Sequence, residues 1–314
     1  MTITASKPKM NSYLPYFGGK RTLASAIVAE LGKHKAYWEP FCGSAAVLLA
    51  KPPSSQETIS DLHGDATNLA WILADAKLAS DLYDRVVRTL FAEAIFEQAR
   101  QILQSSPCPD AIDTDRAYWY FIFSWMGRNG LAGTSSALTS SLAIRYTTGG
   151  GSPSIRFRSA VESIPAWHHR LCNVLILRRN AFDLLPEIED SPDVAIYIDS
   201  PYLMETRSKG AAYDQGARYV HDFDGVFGSD SFFGSEKDED SHDRLAAALL
   251  RFQQARIVIS HYYHPRLRTL YPSFQIRHLD ATKKIAQQNR RGITNAIDAA
   301  EVLLMNGPSY AEAA

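Results

Sequence analysis

Cysteine is scarce and scattered. Cys42, Cys108 and Cys172 are the only three in 314 residues, too few and too far apart for a disulfide framework or a zinc site, so the chain reads as an intracellular, reduced protein, with the cytoplasm as its expected location. No run approaches the ~18 consecutive apolar residues that a membrane span needs. The amino-terminal stretch MTITASKPKMNS is polar, without an apolar core or a cleavage site, which argues against a secretory signal. Net charge is missing too: 33 basic against 34 acidic residues leave −1, so the sum advertises no polyanionic partner. The glycine spacings of nucleotide folds are absent as well. After Gly43, Ala45 and Ala46 stand where a dinucleotide fingerprint would carry further glycines, and no Lys-Ser/Thr pair follows to make a phosphate loop. No His, Cys or carboxylate spacing suggests a metal.

What remains is an ordinary globular composition, 46% hydrophobic and 21% charged, enough for a sizeable core in one large or two modest domains. The distribution of charge says more than the sum. Between Arg145 and Arg179 the chain carries Arg145, Arg156, Arg158, Arg170, Arg178 and Arg179 against Glu162 alone, and Lys283, Lys284, Arg290 and Arg291 form a second cluster. Acids gather instead in EKDEDSHD at 236–243. A basic face on a neutral protein suits a phosphate backbone, although any single arginine is more simply a solvated surface group.

The order of elements points to α/β. GGKRTLASAIVAELGKH reads as a helix stopped by Gly32. AYWEPFCGSAAVLLAK reads as strand, glycine turn and helix, and ETISDLHGDATNLAWILADA as a second strand ending near Asp61, then a helix. This is the start of a βαβ pattern with a parallel sheet. Residues 76–128 read as helices, with aromatics in YWYFIF and SWMGRNG that suit a core, and 129–160 is a Gly/Ser/Thr-rich stretch too long for an ordinary connection. We therefore expect a catalytic domain formed by 1–75 and 165–314, with 76–164 inserted. Strands resume in NVLILRRN, DVAIYIDS and ARIVISHYY, the helix SHDRLAAALLRFQQ precedes the last of these, and AAEVLLMN suits a final strand.

Ligands of open parallel sheets sit at the carboxyl ends of the strands, and three such ends are suggestive. Gly43 lets a backbone pass close to a ligand. Asp61 suits either ribose hydroxyls or the amino-terminal cap of the following helix. The third is YIDSPYL at 197–203. Pro201 fixes its own φ and biases Ser200 to an extended conformation, which aims the Ser200 carbonyl beside the Asp199 carboxylate, while Tyr202 offers a flat face. Two acceptors and a ring suit a planar group bearing an NH2, such as a nucleobase.

LPYFGGKR, EPFCGSAAV, SDLHGDATNLAWIL, RNAFDLL and IYIDSPY, in this order, resemble the Dam-like (D12) adenine-N6 DNA methyltransferases. MGRNGL, YVHDF, SHDRLAAAL and IVISH fit the same pattern, so the likeness covers nearly the whole chain. The resemblance implies a class I, Rossmann-like methyltransferase fold with a seven-stranded, mostly parallel sheet, S-adenosylmethionine as methyl donor, and a helical insertion that recognises the target. Carried over, Tyr16, Gly18, Gly19 and Lys20 would line the donor site and its border with DNA. Glu39, Phe41 and Gly43 would surround the methionine part, Asp61 would hold the ribose, Asn180 would meet the donor's adenine amine, and Phe182 would lie against its ring. Asn180 replaces the usual Asp, and its amide oxygen can accept the same hydrogen bond. Asp199, Ser200, Pro201 and Tyr202 fall on the catalytic D-P-P-Y motif. Ser200 for the first proline keeps the carbonyl and loses rigidity, which implies slower chemistry. The family usually has Gly at Ala45 or Ala46.

The expected reaction follows from these roles. The adenine flips out of double-stranded DNA and stacks on Tyr202. Its amine donates to Asp199 and to the Ser200 carbonyl, and takes the methyl by direct displacement. Arg128, Asn129, Arg145, Arg156, Arg158, Lys283 and Lys284 are the candidates for DNA contact. The partner is DNA rather than a membrane, a separate restriction enzyme fits this class, and the chain is expected as a monomer or weak dimer. The corner by itself equally admits N4 of cytosine or adenine in RNA as acceptor, and the fold admits a DNA-binding relative with weak or no catalysis.

Overall fold

The computed structural model describes residues 11–16, 18–128, 140–146, 151–203, 206, 236–282 and 300–311. Strands β1 (Ala36–Glu39), β2 (Gln56–Ser60), β3 (Leu175–Leu177), β4 (Val194–Ile198), β5 (Arg256–Tyr262), β6 (Gln275–Thr282) and β7 (Ala300–Met305) form one sheet in the order β3-β2-β1-β4-β5-β7-β6. β7 runs antiparallel to β5 and β6, and the pairings from β3 to β5 are parallel. This is the mostly parallel, seven-stranded class I methyltransferase arrangement. The chain runs outward from β1 through β2 to β3, then returns to lay β4 on the other side of β1. The strand order therefore switches between β1 and β4, and a crevice opens at their carboxyl ends.

Alternation along the inner strands divides the core. Ala195 and Tyr197 of β4, Val258 of β5, and Leu303 and Met305 of β7 belong to one buried cluster. Val194, Ile196, Ile198, Ile257, Ile259, Val302 and Leu304 belong to the other. Successive side chains point to opposite faces, so β4, buried at every position, must be apolar throughout. Such a strand is covered on both faces by helices. β6 is not evident in the sequence: in QIRHLDAT polar residues interrupt the apolar ones, and Gln275, Ile276 and Arg277 are exposed or half-exposed.

The helices are α1 (Ala24–Leu31), α2 (Ala46–Ala50), α3 (Gly64–Ala74), α4 (Ala76–Val86), α5 (Glu93–Ser105), α6 (Thr114–Met126), α7 (Pro153–Val161), α8 (Ile164–Leu171), α9 (Ala181–Leu184), α10 (Glu236–Leu250) and α11 (Arg266–Leu270). Gly32 at φ +63° ends α1, as its sequence suggests. α4 to α7 fill the stretch expected as an insertion. Their Phe96, Leu103, Phe121 and Phe157 share the cluster of Tyr37 and Ile59 from the sheet, and α4 packs on α3 and α8 and α6 on α3, so these helices extend the core on one side of the sheet rather than build a core of their own. The aromatics of α6 are core: Trp125 stacks on Trp167 with ring centres 6.0 Å apart and donates to the Tyr13 carbonyl over 3.1 Å. The composition of 129–160 suggests no helix, yet α7 starts within it at Pro153. Proline in the first turn is a start signal that the surrounding Gly/Ser composition conceals.

Candidate active site

The crevice at the switch point is lined by segments far apart in sequence. Tyr16, Gly18, Gly19 and Lys20 come from the segment before α1. Glu39 to Ser44, with Ala46 and Val47, follow β1. Asp61 and Leu62 follow β2, and Arg179 to Ala181 follow β3. Tyr197, Asp199 and Pro201 come from β4 and its end.

The β1 turn is held from both sides. Tyr13 donates its hydroxyl to the Gly43 carbonyl over 2.8 Å, and the Gly43 N–H donates to Asp61 Oδ2 over 2.7 Å. Gly43 has φ +48°, and a Cβ there would sit 3.1 Å from the Tyr16 ring, so glycine keeps this floor of the crevice open. Asp61 Oδ1 accepts from the His63 N–H over 2.8 Å. Asp61 is therefore not the helix cap that its sequence position also allowed. His63 caps α3, its ring nitrogen accepting from the Ala66 N–H over 3.2 Å, and the Asp61 carboxylate faces the crevice while tying the β1 and β2 turns together. Ala45 adopts the left-handed conformation at φ +50°, which identifies it, rather than Ala46, as the position suited to glycine.

Glu39 is buried beneath this turn and accepts from the Tyr37 hydroxyl over 2.9 Å. Burial, reinforced by the neighbouring Asp199 charge, pushes its carboxyl up to about 8, so it carries a proton at neutral pH in the ligand-free protein.

At the end of β4, Asp199 Oδ1 lies 2.8 Å from the Lys20 ammonium and accepts from the Ser260 hydroxyl over 3.0 Å. Burial pulls the Lys20 pKa down, but the charge and hydrogen bond of Asp199, helped by Tyr197 and Glu301, outweigh it and raise the pKa above the ordinary lysine value. The same ammonium donates to the Gly18 carbonyl over 2.8 Å and lies 4.8 Å from the centre of the Tyr202 ring. Tyr202 also stacks on His261, with ring centres 4.5 Å apart. The Leu203 N–H donates to His261 Nε2 over 3.0 Å, so His261 is protonated at Nδ1, which donates to the Tyr262 carbonyl over 2.7 Å. Ser200 and Pro201 between them are buried. A carboxylate, a carbonyl-bearing corner and a ring thus meet in one place.

Sequence reasoning misses the groups that hold this corner. The sequence places Lys20 at the donor border but gives no sign of its contact with Asp199. Tyr197, Ser260 and His261 fall in the family-like stretches IYIDSPY and IVISH, but no role is legible for them there. Tyr197 lies in β4 two residues before Asp199, and Ser260 and His261 lie in β5, but only the pairing of β4 with β5 brings them together.

Asn180 lines the crevice, and its side-chain oxygen accepts from the Phe182 N–H over 2.9 Å as the cap of α9. Phe182 is turned into the second core cluster, with the Arg244 guanidinium 4.1 Å from its ring centre, and is not among the residues lining the crevice. The basic stretch is largely neutralised within the fold. Arg170 pairs with Glu57, Arg178 with Asp110 over 2.9 Å, and Arg179 with Glu187 over 2.6 Å. Arg158 donates to the Val87 and Thr89 carbonyls over 2.7 and 3.3 Å. Arg128 and Arg145 are exposed. Nε and Nη2 of the half-buried Arg156 meet no hydrogen-bond partner among the described residues. Asn129, Lys283, Lys284, Arg290 and Arg291 lie outside the described residues.

A cationic, nucleoside-bearing donor fits this crevice: the floor lacks a side chain at Gly43, and Glu39 and Asp61 supply acids beneath and beside it. Residues 16–285 match the family described as D12 class N6 adenine-specific DNA methyltransferase. No curated protein matches the chain.

Proposed function

The chain belongs to the D12 class N6 adenine-specific DNA methyltransferases, and we propose that it uses S-adenosylmethionine, bound at the switch-point crevice, to methylate a target adenine flipped out of duplex DNA. The observation that carries this reading is the convergence of Gly43, Asp61, Asn180 and Asp199 on one crevice from four strand ends. Bound S-adenosylmethionine supplies an electrophilic methyl group on a sulfonium. Asp61 keeps lone pairs beyond those given to Gly43 and His63, and these accept from ribose hydroxyls. Glu39 gives up its proton to face the positively charged methionine part. Asn180 meets the donor's adenine amine.

The acceptor amine donates to Asp199 and to the Ser200 carbonyl. These bonds draw the nitrogen lone pair out of ring conjugation and stabilise the positive charge that develops on nitrogen. Pro201 restricts Ser200 from its carboxyl side, so the serine carbonyl keeps its aim. Tyr202 is in contact with both His261 and the Lys20 ammonium, so a base stacking on it displaces one of them; both ring nitrogens of His261 are tied to the backbone, and the lysine, on its longer side chain, is the one that yields. DNA lies across the exposed Arg128 and Arg145. The 140–146 segment that carries Arg145 pairs with the end of α6, where the Arg128 N–H donates to the Ser141 carbonyl over 3.0 Å. Exposed Ile144 and Tyr146 flank Arg145 and offer apolar contacts beside its charge.

The test is transfer of labelled methyl from S-adenosylmethionine to mixed-sequence duplex DNA, followed by digestion to nucleosides. Label is expected on N6-methyladenine. Asp199→Ala should lower transfer by at least about 100-fold with donor binding retained. Label on cytosine, or full activity in the folded variant, would overturn the reading.

A further inference from the structure

Asp199 is held asymmetrically. Its Oδ1 takes both the Lys20 ammonium at 2.8 Å and the Ser260 hydroxyl at 3.0 Å, whereas its Oδ2 has no hydrogen-bond partner among the described residues. A carboxylate on a strand end rotates freely about its last bond unless something fixes one oxygen. Lys20 cannot be that fixture throughout the reaction, because its ammonium lies over the ring that the base must reach. Ser260 can. It sits within β5, one residue beyond the Ile198–Ile259 pair of the parallel β4–β5 ladder, where β5 still pairs with β7, and is buried.

The direction of the hydrogen bonds is determined. An ionised carboxylate only accepts, so the single Ser260 proton goes to Asp199. The Tyr197 hydroxyl, 2.8 Å from Ser260 Oγ, must then be the donor to Ser260. Tyr197 is itself fully buried on β4, two residues before Asp199 and on the same face. The result is a one-way chain, Tyr197 O–H to Ser260 O–H to Asp199 Oδ1, in which each bond polarises the next.

We propose that Ser260, oriented by Tyr197, is the positioning residue that keeps Asp199 Oδ2 aimed at the acceptor amine once Lys20 has been displaced. Ser260 does not line the crevice, and Tyr197, which does, directs its hydroxyl to Ser260. Both act on the reaction through the carboxylate, Tyr197 by way of Ser260. The proposal rests on the methyl-transfer reading given above and adds to it the residues that set the angle of the catalytic carboxylate.

The experiment measures kcat and KM for methyl transfer to duplex DNA with the 314-residue chain, for Ser260→Ala, Tyr197→Phe and the double variant. Ser260→Ala is expected to lower kcat about 10- to 100-fold, with KM for DNA and affinity for S-adenosylmethionine within about twofold of the parent. Tyr197→Phe removes one oxygen from a packed ring and should lower kcat by a smaller factor, about three- to tenfold. In the Ser260→Ala background the Tyr197→Phe change should have no further effect, because the hydroxyl it acts through is gone. An unchanged kcat in Ser260→Ala, a loss confined to KM, or independent, multiplying losses in the double variant would each overturn the proposal. If Ser260→Ala does not fold, Tyr197→Phe decides alone: an unchanged kcat overturns the proposal and a fall in kcat without a change in KM supports it. If the parent protein transfers no methyl to DNA, the functional reading fails instead, an outcome distinct from all of these.

Discussion

The Lys20 ammonium and Asp199 Oδ1 face each other at 2.8 Å, and the two side chains are unequally buried, 4% exposed for the lysine and 21% for the aspartate. The asymmetry predicts unequal costs. Asp199→Ala leaves a buried ammonium with the Gly18 carbonyl and the Tyr202 ring but no paired carboxylate, whereas Lys20→Met leaves a more exposed carboxylate that retains Ser260. Breaking a buried pair costs about 3–5 kcal/mol, mostly for the charge left behind. We expect Asp199→Ala to cost about 2–4 kcal/mol in urea unfolding and Lys20→Met about 1–2 kcal/mol, with the double variant less destabilised than the sum. Equal costs, or a larger cost for Lys20→Met, would mean that the pair does not hold the ammonium in place.

Glu39 links donor binding to pH. Its carboxyl is pushed up to about 8 by burial, so at neutral pH the free protein holds a proton there. A cationic donor favours the carboxylate, so binding should release that proton, and affinity should rise with pH and level off above about 8. Calorimetry in two buffers of different ionisation enthalpy would read the released proton directly, and Glu39→Gln should abolish the buffer dependence. The stability linkage has the opposite sense. A carboxyl raised above its unfolded value binds more protons in the folded state, so its contribution to stability declines as pH climbs from the unfolded pKa towards the folded one. Glu39→Gln should therefore stabilise the free protein more at pH about 8 than at pH about 5. An equal effect at both values would show that Glu39 is already ionised.

Ala45 and Ala46 are adjacent and should respond to glycine with opposite signs. Ala45 is left-handed at φ +50°, a conformation that costs an L-residue roughly 1–2 kcal/mol and glycine little. Ala46 opens α2 in right-handed helical geometry, where glycine costs about 0.5–1 kcal/mol relative to alanine. Ala45→Gly should raise the melting temperature and Ala46→Gly lower it. A loss in both would mean that the buried Ala45 methyl packs well enough to outweigh its backbone strain.

The parts of this protein legible in its sequence are those written in adjacent residues. Gly32 stops α1, Gly43 turns β1 into α2, and VAIYI carries no charged residue because β4 is buried at every position. The corner at Asp199 is legible for the same reason, since Pro201 and Tyr202 lie beside it in the chain. Illegible are the contacts made across the sheet. Nothing local tells Lys20 that it will meet Asp199, or Ser260 that β5 will lie against β4. Local composition also misleads where partners come from afar. Arg170, Arg178 and Arg179 look like a basic face because Glu57, Asp110 and Glu187, which neutralise them, lie in other elements or beyond the run.

Arg170 gives that last point a test. Glu57 is buried between Arg170 and Lys51, accepting from Lys51 Nζ over 2.5 Å and from Arg170 Nη2 over 2.8 Å. Arg170 also donates to the Leu48 carbonyl over 2.9 Å, so it ties α8 to β2 and to the end of α2. Burial alone would raise the Glu57 carboxyl, but the hydrogen bonds from Arg170 and Lys51 outweigh it and hold it below the ordinary glutamate value. A carboxyl depressed in the folded state contributes stability that is present above its unfolded pKa and is lost as pH falls towards the folded one. Arg170→Met should therefore cost about 2–4 kcal/mol at neutral pH, and should flatten the acid-induced loss of stability below pH about 4.5, because Glu57, which keeps Lys51 but loses Arg170, resists protonation less. DNA affinity measured across a salt series should keep its slope, since removing a cation that neutralises a phosphate would reduce that slope by about 0.9. A shallower salt slope with unchanged stability would return Arg170 to the DNA face.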